Sequence, residues 1–427
     1  MEQSNCGIRL YNLFPRIVGS IPRWEEQVDR IKDMGFNAIW VNPFHYAGFS
    51  GSLYSPKDYY RIADMFIDNS IDVAPFDQLK SFIKKCHDSN IKFIMDLVIN
   101  HTAIDCDLIK EHKDWYKLDE NGKIINPGAM HEGVWHAWGD LAEVNNLNSP
   151  DRDNLWNFWW NMMKYYLDMG VDGFRCDMAY QVPSDLWRFL IPKSREAKPG
   201  CLFLAESLGC DFKQVQELAN LGFDYLFNSS KYWDFNEFWG MEQYHKTSQI
   251  VKTISFPESH DTARMITETN GDIAAIKRRL LFSAVFSAGY MIPVGFEFGF
   301  TRQLNVVQTQ PDWWENTLVN FTEYIKKINA LKDKYPVLNV EPGIEIVDQA
   351  NWANVFCFKK TMPNEKSIFV MLNKDTVEYQ NVFIPDLTSI LGENGIIDIS
   401  PEYAMNYLPY SFDYNLRPSE VKILAQK

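Results

Sequence analysis

The chain has 427 residues, more than most single domains contain, so we expect one large domain with a smaller partner. Its 56 acidic and 42 basic side chains give a net charge of −14, which disfavours nucleic acid, and no Lys/Arg cluster predicts a membrane-binding surface. The 14 Trp, 20 Tyr and 29 Phe residues exceed the needs of an ordinary core and predict that aromatic rings line a binding surface.

The N-terminal residues and the cysteines indicate a cytoplasmic protein. Residues 1–6 lack the basic and apolar segments of a secretory signal. The seven cysteines are scattered and never form a C-x-x-C pair, so we expect reduced structural thiols rather than disulfides or a zinc site. The most apolar run, 280–296, contains Ser, Gly and Pro, and it predicts a buried helix followed by a strand rather than a membrane span.

Short apolar stretches alternate with helical patterns through the first three quarters of the chain and predict βα units. We expect strands at 8–12, 37–41, 92–98, 171–177, 202–206, 223–227, 253–257 and 289–294. Eight strands that alternate with helices are what a closed (β/α)₈ TIM barrel requires, so the predicted fold class is α/β with such a barrel.

The third and fourth predicted strands are too far apart for one βα unit. Asp96 and Asp177 are separated by 81 residues, whereas a barrel of about 250 residues allots roughly 31 to each unit. We therefore expect a loop-rich insertion at 102–148. It follows a strand, so it emerges at the C-terminal face of the barrel, where barrel active sites form, and is expected to build one wall of a cleft.

Beyond residue 335 no helical period remains. Short apolar runs at 344–347, 355–358, 368–372, 382–384, 396–399 and 421–424 predict a small antiparallel β domain. The predicted organisation is a barrel from residues 1–101 and 149–335, an inserted subdomain at 102–148 and a C-terminal β-sandwich domain at 336–427.

Four segments place acids, an Arg and two His at the ends of predicted strands. They are DLVINH at 96–101, GFRCD at 173–177, LAES at 204–207 and ESHD at 258–261. Glu206 follows Asp177 by 29 residues, one βα unit, and Asp261 follows Glu206 by 55, close to two units. The three acids are therefore expected on the same rim of the barrel.

These acids fit one reaction. Arg175 and Asp177 point the same way along a strand, and an Asp beside an Arg stays ionised, whereas an apolar surround raises the pKa of Glu206. Retaining glycoside hydrolysis needs an ionised carboxylate that attacks the anomeric carbon and a protonated carboxyl that protonates the leaving oxygen. Asp177 is the candidate nucleophile and Glu206 the candidate acid, while Asp261 could stabilise positive charge in the transition state.

In order and spacing, the four segments resemble the signature regions of the α-amylase family, and the resemblance extends over the insertion and the terminal β domain. It implies that Asp177 is the nucleophile, Glu206 the acid/base and Asp261 the transition-state stabiliser, with no cofactor required for the chemistry. It further implies an α-glucan or maltooligosaccharide as substrate.

The resemblance also implies a set of sugar-binding residues. Contacts to sugar hydroxyls are expected from Asp96, His101, Arg175 and His260. Tyr54 lies in a segment similar to the family's tyrosine segment and is expected to stack beneath the cleaved sugar. In many family amylases a Lys-His pair holds the leaving sugar, whereas Tyr180 and Gln181 stand at those positions here.

Many members of the family hold a structural calcium ion. The Asn of the first region corresponds to Asn100, and Asp140 or Glu143 in the insertion could supply further oxygen ligands. Enzymes that use maltose 1-phosphate carry an Asn-Pro-His run just after the nucleophile. This chain has 178–180 as MAY, which disfavours a phosphorylated donor.

Two alternatives stand beside a cytoplasmic hydrolase of α-1,4-glucosidic bonds. A 4-α-glucanotransferase or maltosyltransferase would use the same glycosyl intermediate with a sugar in place of water. A catalytically inactive carbohydrate-binding barrel is an alternative of another class, which the presence of all three acids disfavours. Ser259, His260 and Asp261 cannot form a serine triad, because three consecutive residues cannot meet side chain to side chain. The sequence leaves the oligomeric state open.

Overall fold

The computed structural model describes residues 7–131, 134–208, 210–348 and 351–427. Within these ranges the strands are β1 (Arg9–Leu13), β2 (Ala38–Val41), β3 (His45–Ala47), β4 (Pro56–Ile62), β5 (Lys92–Leu97), β6 (His101–Ala103), β7 (Gly128–His131), β8 (Val134–Ala137), β9 (Leu141–Glu143), β10 (Gly173–Cys176), β11 (Leu202–Ala205), β12 (Tyr225–Phe227), β13 (Lys252–Ser255), β14 (Gly289–Pro293), β15 (Ile344–Ile346), β16 (Val355–Lys360), β17 (Ile368–Asn373), β18 (Gln380–Ile384), β19 (Ile396–Asp398), β20 (Phe412–Leu416) and β21 (Val421–Gln426).

The α-helices of the same ranges are α1 (Pro15–Val18), α2 (Ile21–Asp33), α3 (Pro75–Asp88), α4 (Leu108–Glu111), α5 (Arg152–Met169), α6 (Ser184–Ala197), α7 (Phe212–Ala219), α8 (Trp239–Thr247), α9 (Met265–Glu268), α10 (Ile273–Phe286), α11 (Thr322–Lys334) and α12 (Thr388–Leu391). None of these helices combines the length and apolarity that crossing a bilayer needs. The run at 280–296 is the end of the buried helix α10 followed by β14, as predicted.

Eight parallel strands close into a barrel in the order β1-β2-β5-β10-β11-β12-β13-β14. They are the eight strands predicted from the sequence. Side chains alternate along each strand, so one set, with Leu10, Trp40 and Leu204 among it, fills the barrel, and the other set packs beneath the outer helices. The prediction of an α/β protein with a TIM barrel is confirmed, and the C-terminal ends of its strands face one rim.

The insertion after β5 contains more regular structure than predicted. β6 begins at the C-terminal end of β5 and pairs antiparallel with β9, while β7 and β8 form a separate antiparallel hairpin. Pairing of His101 with Glu143 folds the end of the insertion back onto the barrel rim. The sequence missed these strands because each has only three or four residues, too few to show an alternating pattern.

The C-terminal region is an antiparallel β domain, as predicted. Its five-stranded sheet has the order β15-β16-β17-β21-β19, and β18 pairs with β20 in a second sheet. Apolar side chains from both sheets, including Phe369, Val382 and Phe412, form one buried cluster. β20 was not predicted, although Phe412, Tyr414 and Leu416 alternate with polar residues in the way a half-buried strand requires.

Candidate active site

The predicted site residues meet at the C-terminal rim of the barrel. Asp96 and Arg175 lie within β5 and β10, Asp177 and Glu206 directly follow β10 and β11, and His260 and Asp261 lie in the loop after β13. Parallel strand pairing aligns them, since β10 lies between β5 and β11 with Arg175 in register with both Asp96 and Leu204. The sequence analysis placed these residues at the C-terminal ends of parallel strands, and the structure brings them together although they are up to 165 positions apart.

The guanidinium of Arg175 contacts three carboxylates. Its Nη1 atom lies 2.8 Å from Asp177 Oδ1 and 3.2 Å from Asp96 Oδ1, and its Nη2 atom lies 3.0 Å from Glu206 Oε2. The Arg175 side chain is only 4% exposed and also lies 5.0 Å from the centre of the Trp40 ring. Because one planar fork contacts both Asp177 and Glu206, their carboxyl groups are neighbours across a short gap.

Burial raises the pKa of both carboxyl groups. The pKa of Glu206 rises to about 7 and that of Asp177 to about 6, although Arg175 acts to lower both. Arg175 does not hold the pKa of Asp177 at or below its usual value, because desolvation of this buried carboxylate outweighs the attraction, and the ionised state expected of Asp177 stays a prediction for pH values above about 6. The pKa of Asp177 lies below that of Glu206, so at a pH between the two values Asp177 is ionised while Glu206 holds its proton.

Glu206 is oriented by two donors on one oxygen. Its Oε2 atom accepts the Met178 backbone N–H at 2.8 Å and a contact from Arg175 Nη2. Met178 reaches this position in a left-handed backbone conformation, with φ of 44°, which is costly for a residue with a side chain. Since Oε2 receives both N–H donors, a proton on Glu206 belongs on Oε1.

Tyr54 connects the acids to the loop after β13. Its hydroxyl donates to Asp96 Oδ2 at 2.9 Å and lies 3.0 Å from His260 Nε2. The Tyr54 and His260 rings are nearly parallel, with centroids 5.6 Å apart. His260 Nε2 is also 3.0 Å from Asp261 Oδ2, and Asp261 is 52% exposed. Desolvation of Asp261 is outweighed by His260 and Arg175, so its pKa lies below the usual value and the carboxylate is ionised.

His101 is buried at the same rim as a neutral side chain. Its Nε2 atom lies 3.0 Å from the carbonyl oxygen of Tyr54, and burial lowers the pKa of His101 to about 4. A carbonyl oxygen only accepts, so Nε2 carries the ring proton. His101 therefore fixes the backbone of Tyr54 beside the acids.

Three residues of the site were not predicted. Trp40 Nε1 donates to Asp96 Oδ2 at 3.1 Å, Asn42 Nδ2 donates to the Tyr54 hydroxyl at 2.9 Å, and Asn12 Nδ2 donates to Asn42 Oδ1 at 2.7 Å. Asn12 lies within β1 and Asn42 directly follows β2. Both are polar residues near the C-terminal ends of predicted strands, so the reasoning that placed the acids at the rim could have found them. Trp40 has no such signal, because a Trp in an apolar strand indicates core packing.

Tyr180 and Gln181 lie in a turn of 3₁₀ helix just after Asp177. Burial and the charge of Glu206 raise the pKa of Tyr180 to about 12. The Gln181 side chain accepts from Asn100 Nδ2 at 3.4 Å and donates to the carbonyl oxygen of Gly128 at 3.4 Å. Gln181 thus contacts both the end of β5 and the inserted hairpin.

Two of the three candidate calcium ligands already contact other side chains. Glu143 Oε1 lies 2.5 Å from Lys117 Nζ, and the amide of Asn100 is directed to Gln181. Throughout the described ranges, no three His, Cys, Asp or Glu side chains form a metal-binding group. A lysine that already pairs with Glu143 would repel a cation there, so Glu143 is poorly suited to hold calcium, and Asn100 and Asp140 alone are too few for an ion that takes about six to eight oxygen ligands.

Comparisons with known proteins show sequence similarity to α-glucan enzymes. Residues 17–198 match the family model of the α-amylase catalytic domain. An α-1,4-glucan:maltose-1-phosphate maltosyltransferase of Picrophilus torridus is 24% identical over 95% of this chain and 67% of its own length. The corresponding protein of Burkholderia pseudomallei is 24% identical over 77% of this chain but 29% of its own length. A cyclomaltodextrinase of Thermoanaerobacter pseudethanolicus is 25% identical over 82% of this chain and 62% of its own length. The chain thus spans between 29% and 67% of these relatives.

Solved structures share the fold over almost the whole chain. An α-amylase from Lactobacillus plantarum superposes with a TM-score of 0.81 at 19% identity and covers 99% of both chains. A maltogenic α-amylase from Thermotoga neapolitana gives a TM-score of 0.75 at 24% identity, covering 100% of this chain and 99% of its own. These likenesses extend to the insertion and the C-terminal β domain, so all three parts of the chain occur together in other proteins.

Proposed function

We propose that the chain, whose residues 17–198 match the family model of the α-amylase catalytic domain, is a retaining enzyme that cleaves α-1,4-glucosidic bonds of maltooligosaccharides or α-glucans. The observation that supports this proposal most directly is the single guanidinium of Arg175 that contacts both Asp177 and Glu206. Two neighbouring carboxyl groups with different pKa values are the requirement of the retaining mechanism.

In the first step, a carboxylate oxygen of Asp177 attacks the anomeric carbon of the bound glucose unit. The bond between that carbon and the glycosidic oxygen breaks, and Oε1 of Glu206 gives its proton to the departing oxygen. The product is a glycosyl ester on Asp177. In the second step, ionised Glu206 takes a proton from water or a sugar hydroxyl, whose oxygen attacks the same carbon and releases Asp177 as a carboxylate.

The other rim residues act on the bound sugar. Ionised Asp261 at the cleft mouth is suited to stabilise the positive charge that develops on the ring. Tyr54 offers its ring beneath the cleaved unit. For His101, Arg175 and His260 we propose contacts to sugar hydroxyls. Asp96, of which the same contact was expected, is fully buried, and we propose that it acts by orienting Tyr54 and Arg175.

Hydrolysis is the first proposed outcome, and transfer to another sugar is the second. Tyr180 and Gln181, in place of a Lys-His pair, favour transfer, as do the maltosyltransferases among the relatives. We propose a cytoplasmic location, with which six described cysteines that form no disulfide are compatible; Cys6 lies outside the described residues. No step of the chemistry is assigned to a cofactor or to calcium.

Incubation with maltotriose and maltohexaose tests the function. We expect shorter products with the α configuration at the new reducing end, observed by NMR immediately after cleavage. Products longer than the substrate would identify a transferase. Intact substrate after prolonged incubation, together with measurable maltohexaose binding, would contradict the proposal and indicate an inactive carbohydrate-binding barrel.

The two pKa values predict a narrow pH profile. Below the pKa of Asp177, about 6, the nucleophile gains a proton and cannot attack; above that of Glu206, about 7, the acid loses its proton. We expect kcat/KM for maltohexaose to be highest between these values and to fall about tenfold per pH unit on either side. Glu206→Gln should remove the alkaline limb from the residual activity. A profile that is flat from pH 5 to pH 8 would contradict the assignment.

A further inference from the structure

The inserted hairpin presents an exposed indole ring. Trp135 lies on β8 and is 54% exposed. The ring packs against the backbone of Gly128 on β7, where a Cβ atom would lie 2.9 Å from the indole Cε2 atom and 2.3 Å from the carbonyl oxygen of His136. A Cβ at Gly128 would therefore displace the ring or open the hairpin. Glycine at this position allows the Trp135 ring to pack against β7.

A chain of amide contacts joins this hairpin to the rim of the barrel. Asn100 Nδ2 donates to Gln181 Oε1, and Gln181 Nε2 donates to the carbonyl oxygen of Gly128. Gln181 is four residues after Asp177, so the hairpin is attached to the loop that carries the candidate nucleophile. These side chains link β5, the turn after β10 and the insertion without a metal ion.

The position of Glu206 decides which side of the cleaved bond this hairpin faces. Tyr54, Asp96 and Arg175 surround the place of the glucose unit that is attacked. The acid must face the leaving oxygen, and Glu206 accepts the backbone N–H of Met178 at 2.8 Å, directly before the turn that carries Tyr180. The turn with Tyr180 and Gln181, and the hairpin attached to it, therefore lie toward the leaving group.

We propose that the Asn100–Gln181–Gly128 chain holds Trp135 as a platform for a glucose unit on the leaving-group side of the cleft. The apolar ring face suits the C–H face of a glucose unit, and the exposed indole leaves room for one. Gln181 is a positioning residue, and Trp135 determines how well a sugar leaving group or acceptor binds. This inference rests on the proposed function.

Two substrates distinguish sugar binding at Trp135 from the catalytic step. Maltohexaose places sugars on both sides of the cleaved bond, whereas α-maltosyl fluoride has only a fluoride leaving group. For Trp135→Ala we expect kcat/KM to fall roughly 10- to 100-fold with maltohexaose and to change less than about twofold for fluoride release. Trp135→Phe should retain most activity with both substrates. As a matched control, Phe383→Ala removes an aromatic ring that is 52% exposed on β18 of the C-terminal β domain and should leave both rates unchanged.

Gln181→Leu tests the positioning step. It keeps the side-chain size but removes both amide contacts, and we expect the same selective loss with maltohexaose. Because Gln181 acts through Trp135, the Gln181→Leu/Trp135→Ala double variant should be no worse than Trp135→Ala alone. Additive losses, or an equal fall with both substrates, would overturn this inference while the wild-type activity upholds the proposed function. A wild-type protein that releases neither fluoride nor glucan products would instead overturn the proposed function.

Discussion

Asp177→Asn is expected to lower kcat for maltohexaose at least about 10⁴-fold. The amide has nearly the shape of the carboxylate but cannot form the glycosyl ester. It also lacks the negative charge of Asp177 Oδ1, which lies 2.8 Å from Arg175 Nη1. Steady-state product release measures the effect, and circular dichroism verifies the fold. Asp185→Asn, at an exposed acid of α6 paired with Arg188, is the matched control and should keep full activity. Full activity in Asp177→Asn would exclude this residue as the nucleophile.

Glu206→Gln separates the roles of the two acids. With maltohexaose, we expect kcat to fall roughly 10²- to 10⁴-fold because the leaving oxygen receives no proton. Fluoride departs without protonation, so formation of the glycosyl ester from α-maltosyl fluoride should be much less affected, as a burst of fluoride would show. Asp177→Asn should lose both reactions. If the two variants showed the opposite pattern, the assignments of nucleophile and acid would be reversed.

Arg175→Met is expected to lower the free energy of unfolding by about 3–5 kcal/mol at pH 8. It leaves Asp96, Asp177 and Glu206 enclosed without their shared counter-ion. Their pKa values then rise further, and protonation as the pH falls toward 5 removes the repulsion, so the deficit should shrink at low pH. Denaturant unfolding at pH 5 and pH 8 measures both effects.

The control for this prediction is Arg188→Met. It breaks an ion pair with Asp185 in which both side chains are mostly exposed, 60% and 67%. Such pairs contribute at most about 1 kcal/mol, so the variant should unfold close to the wild type at both pH values. An Arg175→Met deficit that is equal at pH 5 and pH 8 would show that lost packing, rather than unpaired carboxylates, accounts for the instability.

The sequence alone determined the barrel and the candidate acids. A strand such as Lys92–Leu97 is marked by its own apolar residues, and eight such segments at βα spacing leave few arrangements other than a closed barrel. Once the strands are known, Asp96, Asp177, Glu206 and Asp261 must share a rim, because parallel strands place their C-terminal ends together. These conclusions need only local patterns and chain distances.

The tertiary structure decided what depends on contacts between distant segments. Arg175 does not keep the pKa of Asp177 low, because burial among neighbouring strands outweighs a nearby charge. Lys117 pairs with Glu143 across the insertion, and Gln181 joins Asn100 to Gly128. Burial, ion pairing and amide contacts between segments are set by packing in three dimensions, and no periodicity or spacing within one segment records them.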